Sequence, residues 1–91
     1  MQNKNEKTLQ LREQIGTILK FLRENRTNLS CNKLEEEYEL SRGSLNRIEN
    51  GRVDCKFITL WKIAEALNMK PSELVMKIEK ELGDDFKLID E

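Results

Sequence analysis

Apolar residues recur along this chain at helical spacing, and no stretch alternates as a strand would. Leu11, Ile15, Ile18, Leu19 and Leu22 fall at i, i+4, i+7, i+8 and i+11. That stripe predicts an amphipathic helix from about Thr8 to Asn25, which Thr27 and Asn28 break. Ser30 can cap a second helix running to about Tyr38, with Leu34 on its inner side. Ser41 can cap a third, with Ser44 in place of the Glu that would complete a capping box. Leu45 and Ile48 supply its apolar side, and Gly51 ends it where a positive φ is usually needed. The run RVDCKF reads as a loop. A fourth helix carries Phe57, Leu60, Ile63, Ala64 and Leu67 and stops at Asn68. Pro71 suits the first turn of a fifth, whose stripe is Leu74, Val75, Ile78 and Leu82, with Gly83 as its stop. The pattern predicts an all-α, five-helix domain.

The stretch LSCNKLEEEYELSRGSLNRIENGR, Leu29 to Arg52, carries the functional signal. Two short helices meet there at a tight turn. Leu34, Leu45 and Ile48 have the spacing that lets crossed helices share a core. Arg42, Ser44, Asn46 and Arg47 are then left pointing outward. This is the layout of a helix-turn-helix, whose second helix offers its first turns to the major groove of DNA.

Composition and charge narrow the reading. A chain of 91 residues has room for one small domain. Residues 9–82 are expected to form it, between an arm at 1–8 and an acidic tail at 83–91. With 36% charged and 5% aromatic residues, the core must be mostly Leu, Ile and Val. No apolar run reaches the roughly 18 residues of a transmembrane helix. The start, MQNKNEKTLQLREQ, lacks the apolar region of a signal peptide, so a cytoplasmic location and no membrane contact are expected. Cys31 and Cys55 are expected to be free thiols in a reducing compartment. Without histidine they cannot complete a four-ligand zinc site unless carboxylates join them, so no metal or cofactor is expected. A redox role for them has no CxxC motif behind it. The chain offers no histidine, no paired nucleophile and base, and no glycine-rich phosphate loop, so it is not expected to be an enzyme.

The net charge of −1 is unevenly spread. Residues 27–40 set Lys33 against four glutamates, whereas residues 41–56 set Arg42, Arg47, Arg52 and Lys56 against Glu49 and Asp54. A nucleic-acid binder needs a basic face rather than a high overall pI, and the third helix supplies one.

The order and spacing of these pieces resemble the phage-repressor (Xre) family of helix-turn-helix domains. The resemblance covers about Leu11 to Leu74. It rests on Arg23 late in helix 1, LS before helix 2, Leu34, the run SRGSLNRIENGR, and TLWKIAEALNMKPSEL for the fourth helix and start of the fifth. It implies a compact lambda-repressor-like fold and a double-stranded DNA partner, with residues about 41–50 as recognition helix. It places Arg42, Gly43, Asn46 and Arg47 at base edges. Arginine can donate twice to guanine and asparagine can pair with adenine, whereas Gly43 cannot read a hydrogen-bond pattern and either allows close approach or marks an unread position. Ser44, Asn50, Arg52 and Lys56 are the expected phosphate contacts, which position without specifying. The resemblance also implies an ion pair between Arg23 and Glu49 that locks helix 1 to helix 3.

Four residues depart from the family pattern. Cys31 stands where relatives carry a glutamine, and it donates weakly. Glu35 stands where a small alanine is usual; a carboxylate there must find a partner or reach outward. Glu39 takes a turn position usually held by glycine. Cys55 replaces a proline. Two-fold operators usually demand a dimer, and a homodimer is expected through Ile78, Leu82 and the tail residues Phe86, Leu88 and Ile89; the alternative is a monomer whose tail folds back over its own domain. The alternative reading is a protein-interaction module on the same scaffold, with weak or no DNA binding and the Glu-rich helix 2 facing a protein partner.

Overall fold

The computed structural model of the protein describes residues 4–89. Five helices follow one another: α1 (Lys4–Arg26), α2 (Cys31–Tyr38), α3 (Arg42–Glu49), α4 (Phe57–Ala66) and α5 (Pro71–Leu82). Among the described residues there is no strand. α1 is the spine, with α3 and α5 packed against it, while α2 packs on α3 and α4, and α4 packs on α5.

α1 begins at Lys4, earlier than the Thr8 expected from the apolar stripe, so residues 4–8 of the expected arm continue the helix. The stripe starts only where the helix has something to pack on. Upstream, Lys and Glu side chains are good helix formers, and Glu6 sits at the positive end of the helix. The other end is set by Thr27. Its hydroxyl donates to Arg23 O at 2.8 Å and accepts from Leu29 N at 3.0 Å, turning the chain out of the helix.

The remaining ends follow local chemistry. Ser30 Oγ accepts from Lys33 N at 3.2 Å, and Ser41 Oγ accepts from Ser44 N at 3.3 Å. α3 closes in a Schellman motif, with Arg52 N donating to Arg47 O at 2.9 Å and Gly51 N to Ile48 O at 3.0 Å. Gly51 holds the positive φ of 70° that this motif needs. α4 repeats the motif with Asn68 at φ 58°, where Met69 N donates to Ala64 O at 2.9 Å. At α5, Pro71 takes the first turn and Glu73 Oε1 accepts from Lys70 N at 2.8 Å.

One core joins all five helices. It is built from Ile18, Leu19 and Leu22 of α1, Leu34 of α2, Leu45 and Ile48 of α3, Leu60, Ile63 and Ala64 of α4, and Leu74 and Ile78 of α5. Leu40 and Met69, which lie outside the helices and the predicted stripes, are buried with them. Both sit just past a helix end, where the chain must turn back over the core.

The surface expected for self-association is largely used inside the domain. Ile78 is only 6% exposed and belongs to the core. Leu82 packs against that core, and Phe86 lies half-buried beside Leu11 and Ile15 of α1. A short turn after Gly83, with Phe86 N donating to Gly83 O at 3.3 Å, brings the tail back. Of the tail's apolar residues, Leu88 and Ile89 remain exposed. No helix of the described residues is long and apolar enough to cross a membrane.

Candidate nucleic-acid interface

α3 is short, and its two faces are unequal. Leu45 and Ile48 turn inward and are buried. Arg42, Gly43, Asn46 and Arg47 are exposed. At 3.6 residues per turn these four positions fall within an arc of about 140°, so they form one outward face. Ser44 lies at its edge, half-buried. Asn50, Arg52 and Lys56 are exposed and follow along the segment that leaves the helix.

Gly43 is not an empty position on that face. A Cβ built there would lie 3.5 Å from Nη1 of Arg47, so the arginine covers the glycine. Arg47 Nη2 also reaches Ser44 Oγ, at a long 3.5 Å. Arg47 thus lies back over the first turn of the helix, and a side chain at position 43 would meet it at ordinary van der Waals distance.

The departures on α2 find their explanation here. Glu35 is exposed, and its Oε2 accepts from the backbone N–H of Arg42 at 3.1 Å. The carboxylate satisfies a donor that the first turn of α3 would otherwise leave open, at the positive end of the helix dipole. Asn32 Oδ1 accepts from Arg42 Nη1 at 2.8 Å. Glu39 does adopt the left-handed conformation, at φ 56° and ψ 41°. A non-glycine residue there costs about 1–2 kcal/mol. Lys62 of α4 donates to the Glu39 carbonyl at 3.4 Å and helps hold the turn.

α3 is mounted on α1 by two contacts. Arg23 Nε and Nη2 donate to Glu49 Oε2 and Oε1 at 2.7 and 2.9 Å, a two-pronged ion pair. The side chains are 15% and 7% exposed, so water screens them little. The hydrogen bond to Glu49 raises the Arg23 pKa above its ordinary value, against the opposing pull of burial. Arg23 Nη1 also donates to Leu29 O at 3.3 Å, tying in the segment ahead of α2. The second contact is Gly16, which the apolar stripe gave no reason to single out. A Cβ there would lie 2.4 Å from Ile48 O and 2.6 Å from Glu49 O. The signal was present: a glycine in mid-helix costs about 1 kcal/mol against alanine and needs a packing reason. In the segment that leaves α3, exposed Asp54 pairs with Arg12 of α1 at 2.6 Å.

The thiols are not activated. Burial pushes Cys55 up to about 11. Cys31 is also raised, first by burial and then by the charge of Glu49. Raised values keep both in the unreactive thiol form at neutral pH.

Comparison with known proteins adds two findings. A family model described as a helix-turn-helix domain matches residues 16–80. A control protein, C.MunI, from a Mycoplasma species is 38% identical over 66 residues, covering 72% of this chain and 89% of that protein. No solved structure matches the chain.

Proposed function

This chain belongs to the phage-repressor (Xre) family of helix-turn-helix domains and is a DNA-binding transcriptional regulator, and from that premise we propose that α3 enters the major groove of duplex DNA and reads sequence with Arg42, Asn46 and Arg47. The observation that carries this reading is the single outward face on which those side chains stand, on a helix held to α1 by the Arg23–Glu49 pair. Arginine and asparagine have the donor patterns that distinguish guanine and adenine in the major groove. Gly43 has no side chain to read a base and leaves the backbone free to approach the groove closely. Ser44, Asn50, Arg52 and Lys56 flank the face and meet phosphates. The chain acts in the cytoplasm by binding, without catalysis.

The regulator works as a two-fold dimer, matching a palindromic site. With Ile78 in the core, the apolar residues that α4 and α5 leave exposed for a second copy are Phe57, Ile58 and Trp61 of α4, with Val75 and Met76 of α5. The Phe57 and Trp61 rings already meet edge to face, 5.9 Å between centroids, so the patch is ordered before a partner arrives.

A second reading has its own support. Glu36 and Glu37 stand exposed on α2, beside the recognition helix. They suit a basic protein partner better than a phosphate backbone. A salt titration of binding to random duplex DNA separates the two. Phosphate contacts make log K fall linearly with log salt, by about 0.9 for each phosphate neutralised. A slope of several units is expected. Absence of duplex binding at low salt would leave the protein-interaction module standing instead.

A further inference from the structure

An exposed arginine at the start of a helix normally samples many rotamers, but Arg42 is held by two acceptors on another helix. Its backbone N–H donates to Glu35 Oε2 at 3.1 Å, and its Nη1 donates to Asn32 Oδ1 at 2.8 Å. Residues 32 and 35 are three apart on α2 and therefore present their side chains to the same side. One acceptor holds the backbone from which Arg42 springs, and the other holds the tip of its side chain.

The geometry leaves the useful part of the side chain free. A guanidinium carries five N–H donors in a rigid plane. Asn32 occupies one of them, on Nη1. The edge formed by Nε and Nη2 remains whole, and such an edge matches guanine O6 and N7 in a bidentate pair. Arg47 offers a contrast. Its contact, at a long 3.5 Å, is to Ser44 on its own helix, so nothing on α2 sets its direction.

We propose that Asn32 is a specificity-determining positioning residue, which holds Arg42 so that its Nε–Nη2 edge meets a guanine. The proposal rests on the reading of Arg42 as a base contact. An arginine that swings freely pairs with any phosphate within reach and gives up rotamer freedom when it docks on a base. One already held by Asn32 gives up less, and its direction is set before DNA arrives. The carboxylate of Glu35 supports this by occupying the N-terminus of α3, where a phosphate of any sequence would otherwise be welcome. The effect belongs to the ratio between specific and non-specific binding, not to affinity at large.

The test uses the full chain and duplexes selected by it from a randomised library, with random-sequence duplex as the reference. Asn32→Ala is expected to lower the ratio of selected to random affinity about tenfold. It should erase the same guanine preference that Arg42→Ala erases, with random-duplex affinity, salt slope and melting temperature unchanged. Asn32→Asp retains an acceptor for Nη1 and should keep the preference. The double variant should be no worse than Arg42→Ala alone. If Arg42→Ala keeps every base preference of the parent, the base-contact reading fails and takes this inference with it. If Arg42→Ala loses a preference that Asn32→Ala retains, the reading of Arg42 stands and the role of Asn32 is overturned. A uniform loss on all duplexes for Asn32→Ala would likewise assign it to plain phosphate binding.

Discussion

Gly16 shows how a single position can couple the scaffold to the reading helix. Alanine would be the better helix former there by about 1 kcal/mol. The carbonyls of Ile48 and Glu49, however, lie 2.4 and 2.6 Å from where its Cβ would stand, and backbone cannot swing aside as a flexible side chain can. Gly16→Ala is therefore expected to destabilise the domain, by about 1–3 kcal/mol or more from overpacking set against the propensity gained. Chemical denaturation measures it, and a midpoint equal to or above the parent would mean that α1 and α3 are not pressed together as described. Glu35 makes the complementary point. By family pattern it looked out of place, yet its carboxylate caps the neighbouring helix across the turn. The Arg23–Glu49 pair was expected from the motif, and the structure adds its two-pronged geometry and the third bond to Leu29 O.

At the scale of the element, α3 divides into a face that folds and a face that reads, and the two should respond separately to substitution. Leu45 is 2% exposed in the centre of the core, beside Leu34 and Ile63. Leu45→Ala should cost about 2–5 kcal/mol. A thermal melt without a downward shift would show the helix register to be wrong. Arg42→Ala and Arg47→Ala should leave the melt in place and weaken binding to a preferred duplex, each by about 1–3 kcal/mol of discrimination. Arg52→Ala should weaken all duplexes alike and make the salt slope shallower by about one unit. Quantitative binding across both kinds of duplex distinguishes these outcomes; three variants indistinguishable from the parent would remove α3 from the interface. The caps that bound the elements were legible because each acts within a few residues. Ser30, Ser41, Gly51, Asn68, Pro71 and Gly83 all stand at helix ends.

Across the whole molecule, exposed apolar residues are most numerous on α4 and α5, with Leu9 and Phe21 of α1 and Leu88 and Ile89 of the tail standing apart. Phe57 is 64% exposed, Ile58 72% and Met76 63%, an uncommon concentration for a small monomer. A stable two-fold contact needs about 800 Å² from each partner, which this patch can anchor if its surroundings join it. Sedimentation of the full chain at tens of micromolar is expected to show a dimer. Ile58→Glu should convert it to a folded monomer, and truncation after Gly83 should leave it dimeric. A dimer that survives Ile58→Glu but is lost on truncation would return the contact to the tail residues Leu88 and Ile89.

The sequence by itself determined the helices, their order and the outward placing of Arg42, Asn46 and Arg47, whereas Ser44, expected outward with them, is half-buried. Periodicity and caps act over one or two turns, and one helix side must be apolar once the other is polar. It did not determine which apolar residues would be left over. Ile78 and Phe57 look equally eligible for a core in a stripe analysis, yet one is buried and the other bare. That choice depends on the angles at which α1, α4 and α5 meet, and a stripe on one helix carries no information about its neighbour. The same limit hid Gly16, whose reason is a carbonyl over thirty residues away, and the hold of Asn32 and Glu35 on Arg42, which exists only because the turn at Glu39 sets α2 beside the start of α3.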